Sequence, residues 1–248
     1  HRVIGFLVEP RDHSAINLPC IIENRGGTGD VGLIRIWELF LGRSIFSRNG
    51  YIAIFSQYSG NDGGGGKDEF GGAELNDVLV LYDILQKYKR ADVSRVGMYG
   101  ASRGGMMTYL ALARVSWIKG AVILAGTSNL MGNKEFRPQN EGRYIRTFGG
   151  SEEEKIKRSA IYFVDRLPKN VPILLMHGTA DWRVNPLDSI KMAEELYKNK
   201  VPFRLVMFEG GDHFFSEFGV EKSKFMLDWF DRYVKNNGPL PDLEPHGK

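Results

Sequence analysis

Seven short apolar runs recur along the chain, at 3–8, 18–23, 51–56, 96–99, 121–125, 173–176 and 204–208. Several are apolar at consecutive rather than alternate positions, the pattern of strands covered on both faces. The run at 3–8 comes first and is expected to pair at an edge. Between the runs, apolar residues recur on a helical period. The stretch 33–48 carries Ile36, Leu39, Phe40 and Phe46, and Asn49-Gly50 supplies a stop. The stretch 74–88 sets Val78, Leu81, Tyr82 and Leu85 on one stripe. Helices are also predicted over 103–114, over 186–199 with its leading proline, and over 222–235 with Phe225, Met226, Trp229 and Phe230. This alternation predicts an α/β fold: a mainly parallel, doubly wound sheet with helices on both faces.

Two segments interrupt the rhythm. Residues 57–72 form a glycine-heavy stretch containing Gly63-Gly64-Gly65-Gly66. It lacks the G-K-[ST] ending of a phosphate cradle and runs instead into Lys67-Asp68-Glu69, so a loop at the surface or the rim of a site is expected. Residues 127–167 are long and polar, with Arg137, Arg143 and Arg146 beside Phe136, Tyr144 and Phe148. Excursions of that length serve as lids or binding loops, or simply lie in solvent. We expect one catalytic unit over 1–235 and a polar tail over 236–248.

Composition narrows the function classes. A net charge of +3 with no basic run gives nucleic acid no footprint. No apolar stretch approaches ~20 residues, so no membrane span is expected. The single cysteine, Cys20, excludes an internal disulfide and a cysteine metal cluster, and its apolar surroundings predict a buried, inert thiol. The cytoplasm is the default compartment, with export left open because the chain starts at His1 rather than Met.

The candidate chemistry centres on Gly100-Ala101-Ser102-Arg103-Gly104, which directly follows the run ending at Tyr99 and precedes a predicted helix. A G-x-S-x-G pattern between strand and helix holds its serine on a strained turn, with glycines where side chains would collide. The amide of Arg103, at a helix N-terminus, can donate to an oxyanion. A serine hydroxyl needs a base, and the base an orienting acid. Of the five histidines, His1 and His13 precede the main strand series and His246 lies in the tail, leaving His177 and His213. His213 follows the last strand, and Asp181 lies four residues past His177 at the end of another. Reactive groups of doubly wound sheets sit at such strand ends. We take Ser102, Asp181 and His213 as nucleophile, acid and base, with His177 shaping the turn that holds Asp181. The order Ser…Asp…His is that of α/β-hydrolases. His177 and Asp181 have no third ligand at metal-site spacing, so no metal or other cofactor is expected.

The segments GASRGG, HGTADWRV and GGDHFF, in this order, resemble the catalytic domain of the prolyl oligopeptidase family of serine peptidases. ENRGG after the second strand is similar to that family's oxyanion segment, and DEFGGAELNDVLVLYDIL to the helix before its nucleophile strand. The resemblance covers roughly 3–234 and implies an α/β-hydrolase fold with Ser102, Asp181 and His213 as the triad. It also implies an oxyanion hole made by the Arg103 amide and a donor from 25–27, where we choose the Gly26 amide. The chain departs from the family in carrying Arg103 where an aromatic residue is usual, and Arg25 where many members have a tyrosine. Arg25 is a candidate for binding an acidic group or for a structural ion pair with Glu23 or Asp30. The family's N-terminal β-propeller has no counterpart in the seventeen residues before Leu18. Loops 57–72 and 127–167 are therefore expected to roof the site. Substrate contacts from Tyr144, and an anchor for a free amino terminus from Glu69 or Glu141, are expected within them.

Three readings follow: a peptidase working through an acyl-enzyme, a carboxylesterase on small or carbohydrate-linked esters, and a catalytically silent hydrolase fold that binds a ligand. The expected partner is a small peptide or ester, and a homo-oligomer remains compatible with an open site mouth.

Overall fold

The computed structural model describes residues 1–41 and 44–247, and all seven apolar runs form strands of one sheet. These are β1 (Gly5–Val8), β2 (Leu18–Asn24), β3 (Ile52–Ser56), β4 (Ala91–Ala101), β5 (Ile118–Leu124), β6 (Ile173–Gly178) and β7 (Phe203–Phe208). Their order is β1-β3-β2-β4-β5-β6-β7, with only β1, at an edge, antiparallel to its neighbour.

Strand pleat explains why several runs are apolar at consecutive positions. Cys20, Ile22, Ile52, Ile54, Met98, Ile123 and Leu175 point to one face, and Ile21, Ala53, Phe55, Val122, Leu124 and Met176 to the other. The first face packs on α3 (Leu75–Lys87), α4 (Arg103–Leu112) and α8 (Pro186–Lys198), through Val78, Leu81, Leu85, Met107, Met192 and Leu196. The second packs on α2 (Ile45–Arg48) and α9 (Gly219–Phe230), through Phe46, Met226, Trp229 and Phe230. Both faces are thus dry, and alternation in polarity would have left a polar group without water. Cys20 is fully buried, and burial pushes its thiol up to about 12, well removed from thiolate reactivity.

The stretch 33–48 differs from the single helix predicted for it. It contains α1 (Ile36–Leu41) and α2, while residues 42 and 43 lie outside the described residues, as does Lys248 of the tail. The Phe40 carbonyl accepts from Ser44 Oγ at 3.3 Å and Arg48 Nη2 at 2.9 Å. Side chains thereby compete for a carbonyl that a continuous helix would bond internally. Ile34 and Phe46 are buried, whereas Ile36, Trp37 and Phe40 are exposed, so the predicted stripe does not face the core as one surface.

The excursion 127–167 is largely helical, with α5 (Asn133–Phe136), α6 (Glu141–Phe148), α7 (Glu152–Lys157) and short 3-10 turns. Ser151 Oγ caps α7 by accepting from the Glu154 amide. Among the described residues, no helix is long and apolar enough to cross a membrane.

Register sets the stage for chemistry. Asn24 pairs with Gly100, Ala101 with Leu124, and Gly178 with Phe208, so the carboxyl ends of the central strands share one rim. The chain crosses from β3 to β4 past β2, which opens a crevice between the ends of β2 and β4.

Candidate active site

Ser102 stands at that crevice, between β4 and α4, with φ 56° and ψ −120°. Non-glycine residues hold such a conformation only when their surroundings impose it. The surroundings here are backbone. A Cβ on Gly104 would lie 2.0 Å from the Asn24 carbonyl oxygen, and one on Gly100 would lie 2.1 Å from the Gly104 carbonyl oxygen. The Ser102 amide donates to the Leu124 carbonyl at 2.9 Å, and the Thr127 amide donates to the Ser102 carbonyl at 3.2 Å. The turn is thus pinned to β5 and to the chain leaving it. Arg103 is the first residue of α4, where amides lack an intrahelical acceptor.

Gly26 abuts the serine: a Cβ there would come within 3.4 Å of Ser102 Cβ. Two hydrogen bonds orient the peptide groups around it. Tyr58 Oη donates to the Arg25 carbonyl at 2.9 Å, and Arg25 Nη1 donates to the Gly26 carbonyl at 3.1 Å. In a planar trans peptide the N–H points opposite to its C=O, so the Gly26 amide is turned away from Tyr58.

Asp181 and His213 leave β6 and β7 at the same rim. His213 Nδ1 donates to Asp181 Oδ2 at 2.7 Å. His177, fully buried, makes a second contact to Oδ2 at 3.0 Å through Nε2, which also faces the Val184 carbonyl, while Ser189 Oγ donates to its Nδ1 at 2.6 Å. Asp181 Oδ1 accepts from the amides of Arg183 and Val184 at 2.7 and 3.0 Å. Burial opposes ionisation of Asp181, but the hydrogen bonds from His177 and His213 outweigh it and hold the carboxyl well below the usual range. With Nδ1 committed to Asp181, Nε2 of His213 is left to accept a proton. His213 and Ser102 line one cavity of about 780 Å³, into which Phe70, Asn133, Asn140 and Tyr144 also project.

The other expected contacts separate in the structure. Arg25 is buried, with Nε and Nη2 donating to the Gln57 carbonyl and Nη1 to those of Gly26 and Val31, and it does not line the Ser102 cavity. These bonds tie it to the backbone around Gly26, and its side chain lines a neighbouring groove with Glu23, Gly26 and Ala101. Glu69 lines a different groove and accepts from the Ala73 amide at 2.8 Å. Glu141 is paired with Lys155 at 2.7 Å. Tyr144 does line the cavity, with its hydroxyl accepting from Asn133 Nδ2 at 2.9 Å.

Sequence reasoning passed over the support beneath the nucleophile turn. The Arg103 side chain is buried and bonds Asp68 at 2.6 Å and Glu74 at 2.7 Å. Glu74 has no exposed surface and also accepts from the Gly71 and Gly72 amides. The Tyr58 ring sits between the guanidiniums of Arg25 and Arg103, 4.9 and 4.8 Å from its centroid. The glycine-heavy stretch 57–72 therefore supplies charge and packing to the turn.

One buried carboxyl stands apart from these bonds. Burial pushes Asp188, in the first turn of α8, up to about 6, against opposing pulls from His177 and Lys191. A raised folded pKa gives stability that is complete below the unfolded value and is lost as pH rises through about 6. Asp188→Asn should therefore raise unfolding free energy by about 1–3 kcal/mol at pH near 8 and by little at pH near 4. Urea unfolding at the two pH values checks this, and an equal change at both would contradict it.

Comparison with known proteins identifies the family and the fold. Residues 37–237 match the prolyl oligopeptidase family. The uncharacterized peptidase YtmA of Bacillus subtilis is 28% identical over 226 residues, covering 86% of this chain and 82% of that protein. Dipeptidyl-peptidase 5 of Porphyromonas endodontalis is 25% identical over 88% of this chain but only 33% of its own length. A puromycin-hydrolyzing peptidase of Mycobacterium tuberculosis superposes with a TM-score of 0.82 at 25% identity, over 94% of this chain and 37% of that one. The chain thus spans most of the first relative and about a third of the other two. The sheet is that of the α/β-hydrolase fold.

Proposed function

The chain belongs to the prolyl oligopeptidase family and is a serine hydrolase, and we propose that it cleaves a peptide or related acyl bond through an acyl-enzyme on Ser102. Ser102 Oγ attacks the carbonyl carbon while His213 Nε2 takes its proton, and Asp181 stabilises the imidazolium that forms. The Arg103 and Gly26 amides donate to the oxyanion. Collapse of the tetrahedral adduct breaks the acyl bond, and His213 returns the proton to the leaving group. Water, deprotonated by the same imidazole, then releases the acid and restores Ser102. We assign residues 1–235 to one catalytic unit, with 127–167 as the excursion over its site.

The observation that carries this reading is the 2.7 Å bond between Asp181 and His213 at the cavity shared with Ser102. No Asp or Glu lines that cavity among the described residues, so a free amino terminus meets no counter-charge there. Blocked peptides and esters fit better. A fluorophosphonate probe should label the peptide containing Ser102, and an adduct on another serine would refute the assignment. Short p-nitrophenyl esters, which need little leaving-group assistance, should turn over faster than aminoacyl anilides. Efficient anilide cleavage with negligible ester hydrolysis would reverse that order.

A further inference from the structure

The Ser102 cavity carries a surplus of positive charge that the mechanism above does not use. Arg137, Arg143, Arg183 and Lys222 line it together with Arg103, and no carboxylate does among the described residues. One of these cations is neutralised by carboxylates, and a second is held by a neutral backbone carbonyl at the cavity edge. Arg103 is bonded to Asp68 and Glu74, and Lys222 Nζ donates to the Phe214 carbonyl at 3.0 Å. The remaining three have no carboxylate partner among the described residues. Among the described residues, Arg143 Nη2 donates to the neutral Asn140 Oδ1, at 3.0 Å. Arg137 Nε is buried without a hydrogen-bond partner, and its guanidinium lies 5.1 Å from the centroid of the Trp182 ring. The Arg183 guanidinium lies 5.0 Å from the same centroid.

Two like charges against one half-exposed indole repel each other. Burial, followed by the charges of Arg183 and Arg143, accordingly lowers the pKa of Arg137. All three side chains are only partly exposed, so water screens them incompletely. Such a cluster is relieved by an anion, and the guanidinium fork matches a carboxylate in shape as well as charge.

We propose that Arg137 and Arg143, together with Arg183, select substrates that carry a carboxylate close to the attacked carbonyl, either as an acidic side chain or as a dicarboxylic acyl cap. This rests on Ser102 being the nucleophile. Arg137 and Arg143 belong to the excursion above the site, so the preference is carried by 127–167 rather than by the turn that holds the serine.

Two pairs of peptidyl phosphonates test it through their rates of labelling Ser102. One pair differs as glutamate against glutamine beside the phosphorus, the other as a succinyl against an acetyl cap. In at least one pair the acidic probe should label about tenfold faster or more at low salt, with the ratio shrinking as salt rises. In Arg137→Gln/Arg143→Gln that ratio should fall to within about twofold of unity. A wild-type ratio near one in both pairs overturns the proposal and leaves the nucleophile intact. A ratio that survives in the double variant removes these arginines from the assignment. Failure of all four probes to label Ser102 overturns the nucleophile reading, and this proposal with it.

Discussion

Ser102→Ala is expected to lower kcat/KM on an ester substrate by about three to six orders of magnitude, while leaving the fold in place. The change removes Oγ but keeps Cβ, and the contacts that fix the turn belong to backbone atoms of Asn24, Gly104, Leu124 and Thr127. Residual rate should come from the oxyanion donors and from substrate positioning. His213→Ala should cost a comparable factor, and the double variant should be little worse than either alone, because nucleophile and base act as a unit. Steady-state kinetics and thermal unfolding on the same preparations check both halves. Loss of activity accompanied by loss of fold, or retained turnover in Ser102→Ala, would remove Ser102 from the mechanism.

Arg103→Met should be among the most destabilising substitutions in the chain, at about 3–5 kcal/mol, because it strands a carboxylate in the interior. Glu74 has no exposed surface, and Asp68 is largely buried beside it. Burial alone would raise the Asp68 pKa, but the hydrogen bond and charge of Arg103 reverse this and depress it. A depressed carboxyl stabilises above its unfolded value and loses that contribution as pH falls through the folded one. The difference between Arg103→Met and wild type should therefore narrow on acidification below about 4. Urea unfolding across pH reads this directly. Equal midpoints for the two proteins at neutral pH would deny the network any structural weight.

The strands were legible because the doubly covered sheet places apolar side chains on both faces of its central strands, so several runs showed no alternating pattern. Ser102 was legible because its flanking glycines answer a steric demand that other residues cannot meet at 2.0–2.1 Å from backbone oxygens. Asp181 and His213 could be found because strand ends are where this architecture presents polar groups. The break in 33–48 was hidden, since it depends on which of its apolar residues the finished core accepts. Arg25, read as a binder of an acidic group or as an ion-pair partner of Glu23 or Asp30, also donates to the carbonyls of Gly26, Val31 and Gln57, which no side-chain pattern marks. Glu74 only opened a predicted helix, and its partner Arg103 lies 29 residues away. Tyr58, at φ 65° beside a glycine-rich run, gave no sign that two guanidiniums would enclose it.

The shared register of the parallel strands divides the molecule's tolerance for change. Ser102, Asp181 and His213 all follow strand carboxyl ends, so the opposite rim carries turns whose alteration leaves these three residues untouched. The turn from α8 into β7 is one such place, with Lys200 at φ 53° and its ammonium paired to Glu244 in the tail. Val201 beside it is buried, so an insertion belongs at the exposed Lys200, where a longer loop adds about 0.6 kcal/mol of closure entropy per doubling. An affinity handle, a surface tether or a second folded module could be grafted there, on the rim opposite Ser102.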